Sequence, residues 1–144
     1  MSNVMPDEST EFGVRVARQL REEVVIWLTT VGADGTPQPN PVWFVWDGAT
    51  ILIYSQRDAK RNAHVRARPR VALHFDTVDQ GEYATIITGE AAIEAGVPLA
   101  HENPDYAAKY AERMAGLAPD QDVAAFAAEY PVAIRITPGR VRGF

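Results

Sequence analysis

The chain has 144 residues, 14 Lys and Arg against 19 Asp and Glu, a net charge of −5 and no cysteine. That length is one domain spanning 1–144, and 47 % hydrophobic with 23 % charged residues excludes both a disordered chain and a disulfide-stapled miniprotein. The absence of cysteine removes thiol nucleophiles, iron–sulfur clusters and thiolate zinc sites; with no long apolar run and a polar, acidic N-terminus, a soluble cytoplasmic protein is expected.

The first periodic segment, Phe12, Val16, Ala17 and Leu20, predicts an amphipathic helix capped by Ser9 or Thr10, with Glu11 in its first turn and Arg18 and Arg21 in its last. Val24 to Val31 is β-branched and apolar, a buried strand, and Gly32 to Gly35 turns the chain back. The next strand, Gln38 to Trp46, carries Pro37, Pro39 and Pro41 at alternate positions. Alternate N–H groups of an extended chain point to one edge, so that edge lacks donors and must face solvent, a loop or a ligand. Asp47-Gly48 signals a hairpin into a strand over Thr50 to Ser55.

A basic island follows. Between Arg57 and Arg70 six cations face Asp58 alone, a net +5 in a chain whose remainder is −10. Such a chain is a poor binder of nucleic acid, which needs many spread phosphate contacts, but the island suits one small anion. Asp58 is the expected N-cap of a short helix, with Ala59, Ala63 and Ala67 as a packing stripe and Pro69 as its stop. Arg70 to Phe75 is another strand, and Tyr83 to Glu94 a long one interrupted by Gly89. Asn103-Pro104 opens a helix with Tyr106, Tyr110 and Met114 on one face, and a second begins near Pro119 with Val123, Phe126, Ala127 and Tyr130 aligned. The last strand is Val132 to Thr137, followed by Pro138-Gly139 and the tail Arg140 to Phe144. Six strands in sequential hairpins and about four short helices predict a mainly β, antiparallel, barrel-like domain with peripheral helices. A parallel nucleotide-binding fold is disfavoured, since strands and helices do not alternate and neither G-x-G-x-x-G nor a Walker A sequence occurs.

Several chemistries fall away. Ser2, Ser9 and Ser55 are the only serines and none lies in a nucleophile elbow. His64, His74 and His101 lack ligand spacing, so no metal site is expected, and no side chain stands out as a catalytic acid or base. The segment Tyr54 to Arg61 is different. A strand ends at Ser55, a short connection follows, and Lys60 and Arg61 stand in the first turn of a helix. A hydroxyl, free backbone N–H groups, the positive end of a helix and two cations converge there, an arrangement suited to a phosphate.

The stretch Tyr54-Ser-Gln-Arg-Asp-Ala-Lys60-Arg61 leading to Pro69-Arg-Val-Ala-Leu73 resembles the cofactor-phosphate segment of the pyridoxamine 5′-phosphate oxidase-like split β-barrel family. Asp34 to Gly48, with its Pro-Gln-Pro-Asn-Pro-Val-Trp run, is similar to the short deazaflavin-using branch. The resemblance implies that Tyr54 and Ser55 end the cofactor strand, that Ser55, Lys60 and Arg61 hold the cofactor phosphate, and that Asn40, Pro41, Val42 and Trp43 line its ring system. It implies a homodimer with the site at the interface, where Arg140, Arg142 or Phe144 approach the other subunit's cofactor. The expected activity is hydride transfer to a small unsaturated or carbonyl-bearing substrate. Coenzyme F420 is preferred, because its acidic tail suits Arg57, Arg66, Arg68 and the C-terminal arginines, with flavin mononucleotide second. The basic pair reads Lys-Arg where the oxidase has Arg-Lys, and the oxidase's C-terminal Arg-x-His is absent, which argues against vitamin B6 oxidation. A non-catalytic deazaflavin carrier is the alternative, and a haem-binding split barrel a further one that needs a histidine in the pocket. The helical pair between His101 and Tyr130 lies outside the family's common core.

Overall fold

The structure is a computed structural model, and it describes residues 4–117 and 122–144. Helix α1 (Glu11–Glu22) starts where Thr10 accepts a hydrogen bond from the Gly13 N–H and turns Val16 and Leu20 inward. Seven strands follow: β1 (Val25–Val31), β2 (Pro37–Trp43), β3 (Val45–Trp46), β4 (Ile51–Ser55), β5 (Arg70–His74), β6 (Thr85–Glu94) and β7 (Val132–Gly143). Helix α2 (Lys60–Ala67) links β4 to β5, while α3 (Pro104–Leu117) and α4 (Val123–Glu129) lie between β6 and β7. The expected start of α4 at Pro119 lies outside the described residues. No helix among the described residues is long and apolar enough to cross a membrane.

All strand pairs are antiparallel, and the sheet runs β2-β1-β5-β6-β7-β4-β3. The two edge strands, β2 and β3, are thus at opposite ends of the sheet yet separated in the chain by Phe44 alone. A single residue cannot span a flat sheet of seven strands, so the sheet curls until its edges meet. The result is a split barrel whose seam lies at Phe44. The expected single strand over Gln38 to Trp46 is therefore two strands, and six expected strands become seven. At the seam the Tyr110 hydroxyl accepts from the Phe44 N–H at 2.8 Å and donates toward the Phe44 and Val24 carbonyls at 2.6 and 2.8 Å. A side chain from α3 thereby supplies the bonds that a neighbouring strand would otherwise make.

The barrel interior holds Ile26, Leu28, Phe44, Ile51, Ile53, Leu73, Ile87 and Ile134, closed at one end by Val16 and Leu20 of α1. A second core lies outside the barrel, where α3 and α4 pack Tyr106, Tyr110, Met114 and Ala127 against Val45, Leu52, Tyr54 and Ala133. The alternation of β4 explains the division: Ile51 and Ile53 face inward, Leu52 and Tyr54 outward.

β2 is an edge strand, as its prolines require: Pro37, Pro39 and Pro41 sit opposite Val31, Thr29 and Trp27 of β1 and place their missing donors on the outer side. β7 is longer than its alternating pattern predicts, continuing through Pro138-Gly139 to Gly143 beside Thr85–Thr88. A register shift between Thr88 and Gly89 allows this, and a Cβ on Gly89 would lie 2.2 Å from the Thr137 carbonyl oxygen.

Candidate functional site

Two cavities flank Arg61. The first, about 610 Å³, is polar and is lined by Gly32 to Asp34, Gln38, Asn40, Gln56 and the start of α2, with Lys60 and Arg61 of its first turn and His64 of its second. Ala59, with extended backbone angles, occupies the cap position of α2 in place of the expected Asp58. It provides no side-chain cap, and the first turn carries no carboxylate. The Asn62 N–H turns back to the Ala59 carbonyl at 3.1 Å, and the N–H groups of Lys60 and Arg61 remain available, next to their own two cations. Asn62, buried within α2, donates to the Gln56 and Arg57 carbonyls at 2.7 and 3.3 Å and pins the loop that presents Lys60. On the following turn His64 Nδ1 lies 2.8 Å from the buried Thr30 hydroxyl, which fixes the ring at the cavity wall. His64, expected at the surface, is thus half-buried and tied to β1. His74 is packed as expected, its ring stacked on Trp27 at 6.1 Å.

The second cavity, about 380 Å³, is walled by aromatic rings and lies beneath α3 and α4. Pro41, Val42 and Trp43 of β2, Tyr54 of β4 and Arg61 of α2 line one side; Tyr106, Met114, Phe126, Glu129 and Tyr130 line the other. Trp43 stacks on Tyr110 at 4.7 Å and on Phe126 at 5.7 Å. The Tyr54 hydroxyl donates to the Pro98 carbonyl at 2.7 Å and accepts from Asn103 at 3.2 Å. Burial raises its pKa, and that of Tyr106 further still, so both phenols stay protonated. Arg61 is the common wall of the two cavities. Burial pulls its pKa down, with the Tyr130 hydroxyl opposing, and no ion pair among the described residues neutralises it.

The sequence-expected residues are thus divided. Asn40, Lys60 and Arg61 meet at the polar cavity, while Pro41, Val42, Trp43, Tyr54 and Arg61 meet at the aromatic one. Ser55 is fully buried on the barrel-facing side of β4, and its Oγ has no hydrogen-bond partner among the described residues. Arg140 stands apart, in a cavity of about 760 Å³ on the outer face of the sheet with Thr29, Arg70, Thr88 and Thr137. Asn62 and Tyr106 carry no functional signal in the sequence; the only cue for Asn62 is a poor helix former in the middle of a short helix. Among the described residues no group of three metal-ligating side chains occurs.

The sequence profile described as "Pyridoxamine 5'-phosphate oxidase" matches residues 14–143. The chain belongs to this family. No curated protein matches it in sequence. Among solved structures it is similar to an F420 reductase, with 25 % identity, a TM-score of 0.65, and 85 % of this chain and 92 % of that one covered. It is also similar to the conserved protein Rv2991 of Mycobacterium tuberculosis, at 20 % identity and a TM-score of 0.72 over 100 % of this chain and 88 % of that one. The haem-storage protein HutZ of Vibrio cholerae shares the fold at 14 % identity and a TM-score of 0.63, with 92 % of each chain covered. The split barrel thus serves proteins of different chemistry, and the site itself must carry the functional argument.

Proposed function

We propose that this family member is an oxidoreductase that holds a deazaflavin, coenzyme F420 in preference to flavin mononucleotide, and delivers hydride to a small unsaturated or carbonyl-bearing substrate. The observation that carries the reading is the uncapped start of α2, with Lys60 and Arg61 beside free N–H groups and no carboxylate in the first turn. The cofactor supplies the hydride chemistry when bound. Lys60 and Arg61 neutralise its phosphate, and Asn62 keeps their loop in place. The unpartnered Ser55 Oγ, at the end of the strand that feeds this loop, is a spare hydrogen-bonding group for the phosphate end. The outer edge of β2 from Asn40 to Trp43 receives the ring, where proline removes competing donors. Two copies form the working unit, with the cavity around Arg140 on the surface where they meet. The likeness to an F420 reductase supports the choice of cofactor.

Titration calorimetry of the full chain with each cofactor tests the reading. Coenzyme F420 is expected to bind more tightly than flavin mononucleotide, and Lys60→Ala with Arg61→Ala to weaken it at least a hundredfold without unfolding. Each lost charge-assisted bond is worth about 1.5–3 kcal/mol. Near-wild-type affinity in the double variant refutes the clamp. Tight binding without oxidation of the reduced cofactor by any quinone or enone identifies a carrier instead.

A further inference from the structure

We infer that the aromatic cavity beneath α3 and α4 is a binding site for a flat, unsaturated carboxylate, its ring against the aromatic lining and its carboxylate at Arg61 and the Tyr106 hydroxyl. Binding of this ligand stands independently of any cofactor; naming it as the hydride acceptor rests on the function proposed above.

Three observations carry the inference. First, Tyr106 is 0 % exposed and lines the cavity, yet its hydroxyl has no hydrogen-bond partner among the described residues. Burying a phenol without a partner is costly, and the neighbouring tyrosines do not leave theirs so: Tyr110 is spent on the seam at Phe44 and Tyr54 on Pro98. Raised far above its usual pKa by burial, the Tyr106 phenol can donate a proton to an acceptor but cannot itself become an anion at neutral pH. Second, Arg61 reaches the same cavity half-buried and without an ion pair. A partly desolvated guanidinium with an unpartnered phenol in one cavity is a donor set for a carboxylate, which accepts from both. Third, the lining is largely aromatic, and the volume of about 380 Å³ suits a one- or two-ring molecule; Trp43, Phe126 and Tyr130 are stacked on one another, so the ligand's ring lies against this cluster rather than between its members. Glu129 is the one carboxylate on the lining, and it is exposed at the rim, where solvent screens it. This gives the helical pair a role the sequence does not reveal, since α3 and α4 contribute half of the cavity wall.

The test is titration calorimetry of the full chain, without cofactor, against 2-naphthoate and its neutral counterpart 2-naphthalenemethanol. The acid is expected to bind one per chain and at least tenfold more tightly than the alcohol. Tyr106→Phe keeps the ring and removes only the hydroxyl; it is expected to weaken the acid about tenfold with no fall in melting temperature. No binding of 2-naphthoate at 1 mM, equal affinity for acid and alcohol, or unchanged affinity in Tyr106→Phe overturns the inference. The first two outcomes need only the wild-type chain, so they decide the matter even where the variant misbehaves. Because cofactor is absent throughout, failure here leaves the Lys60 and Arg61 clamp untouched, and failure of the clamp leaves this site standing.

Discussion

Tyr106 and Tyr110 stand one helical turn apart on α3, both 0 % exposed, and differ in what their hydroxyls do. That makes Tyr110→Phe and Tyr106→Phe a matched pair for the idea that Tyr110 closes the barrel seam. The Tyr110 oxygen takes the Phe44 N–H and shares its own proton between the Phe44 and Val24 carbonyls. Removing it strands a buried N–H and the Val24 carbonyl; the Phe44 carbonyl retains Lys109, whose ammonium donates at 3.0 Å. One bond of about 1 kcal/mol and the desolvation of an orphaned donor, about 1–3 kcal/mol, give roughly 2–4 kcal/mol. For a chain of this size that lowers the melting temperature by about 5–10 °C. Tyr106→Phe deletes a hydroxyl that has no partner and should leave stability unchanged or slightly higher. Urea and thermal melts of both variants, followed by tryptophan fluorescence and circular dichroism, measure the contrast. Equal destabilisation within 0.5 kcal/mol refutes the claim that Tyr110 is the seam's hydrogen-bonding partner.

Further outcomes follow from single residues. Burial, and secondarily Arg113, lowers the Lys109 pKa to about 8, so between pH 8 and its unfolded value near 10.5 the unfolded chain binds the extra proton. Stability therefore rises with pH from about 8 to 9.5, and Lys109→Met should flatten that rise; parallel pH–melting curves for both proteins would count against it. Above that window the buried tyrosines, whose pKa values are raised, reverse the trend. Gly89→Ala places a Cβ 2.2 Å from the Thr137 oxygen and should cost about 3 kcal/mol or more, whereas Gly139→Ala, with its nearest neighbour at 3.6 Å, should cost under about 1 kcal/mol. Similar urea midpoints for the two would show that the bulge adapts.

Most of the architecture was legible because local rules and tertiary packing agree. The β-forming runs of β1 and β4, the Asp47-Gly48 turn, and the stripes of α1 and α3 each lie where the residue pattern puts them. The break at Phe44 was not legible. Val42 to Trp46 is uniformly β-forming, and the interruption comes from a tyrosine 66 positions away in the chain. The cap of α2 also escaped local reasoning, because Asp58 precedes the helix by two positions and Ala59 takes the cap. At the site, Lys60 and Arg61 were readable as a cationic pair, but their division of labour was not. Only the folded chain reveals that Arg61 looks into two cavities while Lys60 looks into one. Tyr106 is the clearest case of hidden chemistry: in a helical stripe it reads as packing, and whether its oxygen finds an acceptor depends on elements that are far apart in the chain.

The proline-bearing rim of β2 has a consequence for how copies of this chain behave in a crowded solution. Positions 37, 39 and 41 offer only carbonyls outward, and an acceptor-only rim cannot complete a ladder with another strand, whose own carbonyls would face it. The opposite rim, β3, is two residues long and is held near the first by Phe44. Neither rim can therefore act as a template for end-to-end polymerisation, the usual hazard of a seven-stranded sheet that has not closed its hydrogen-bonding circuit. Copies that meet are left to do so face to face, and the same three prolines that keep the rim clear of competing donors also guard the protein against fibre growth.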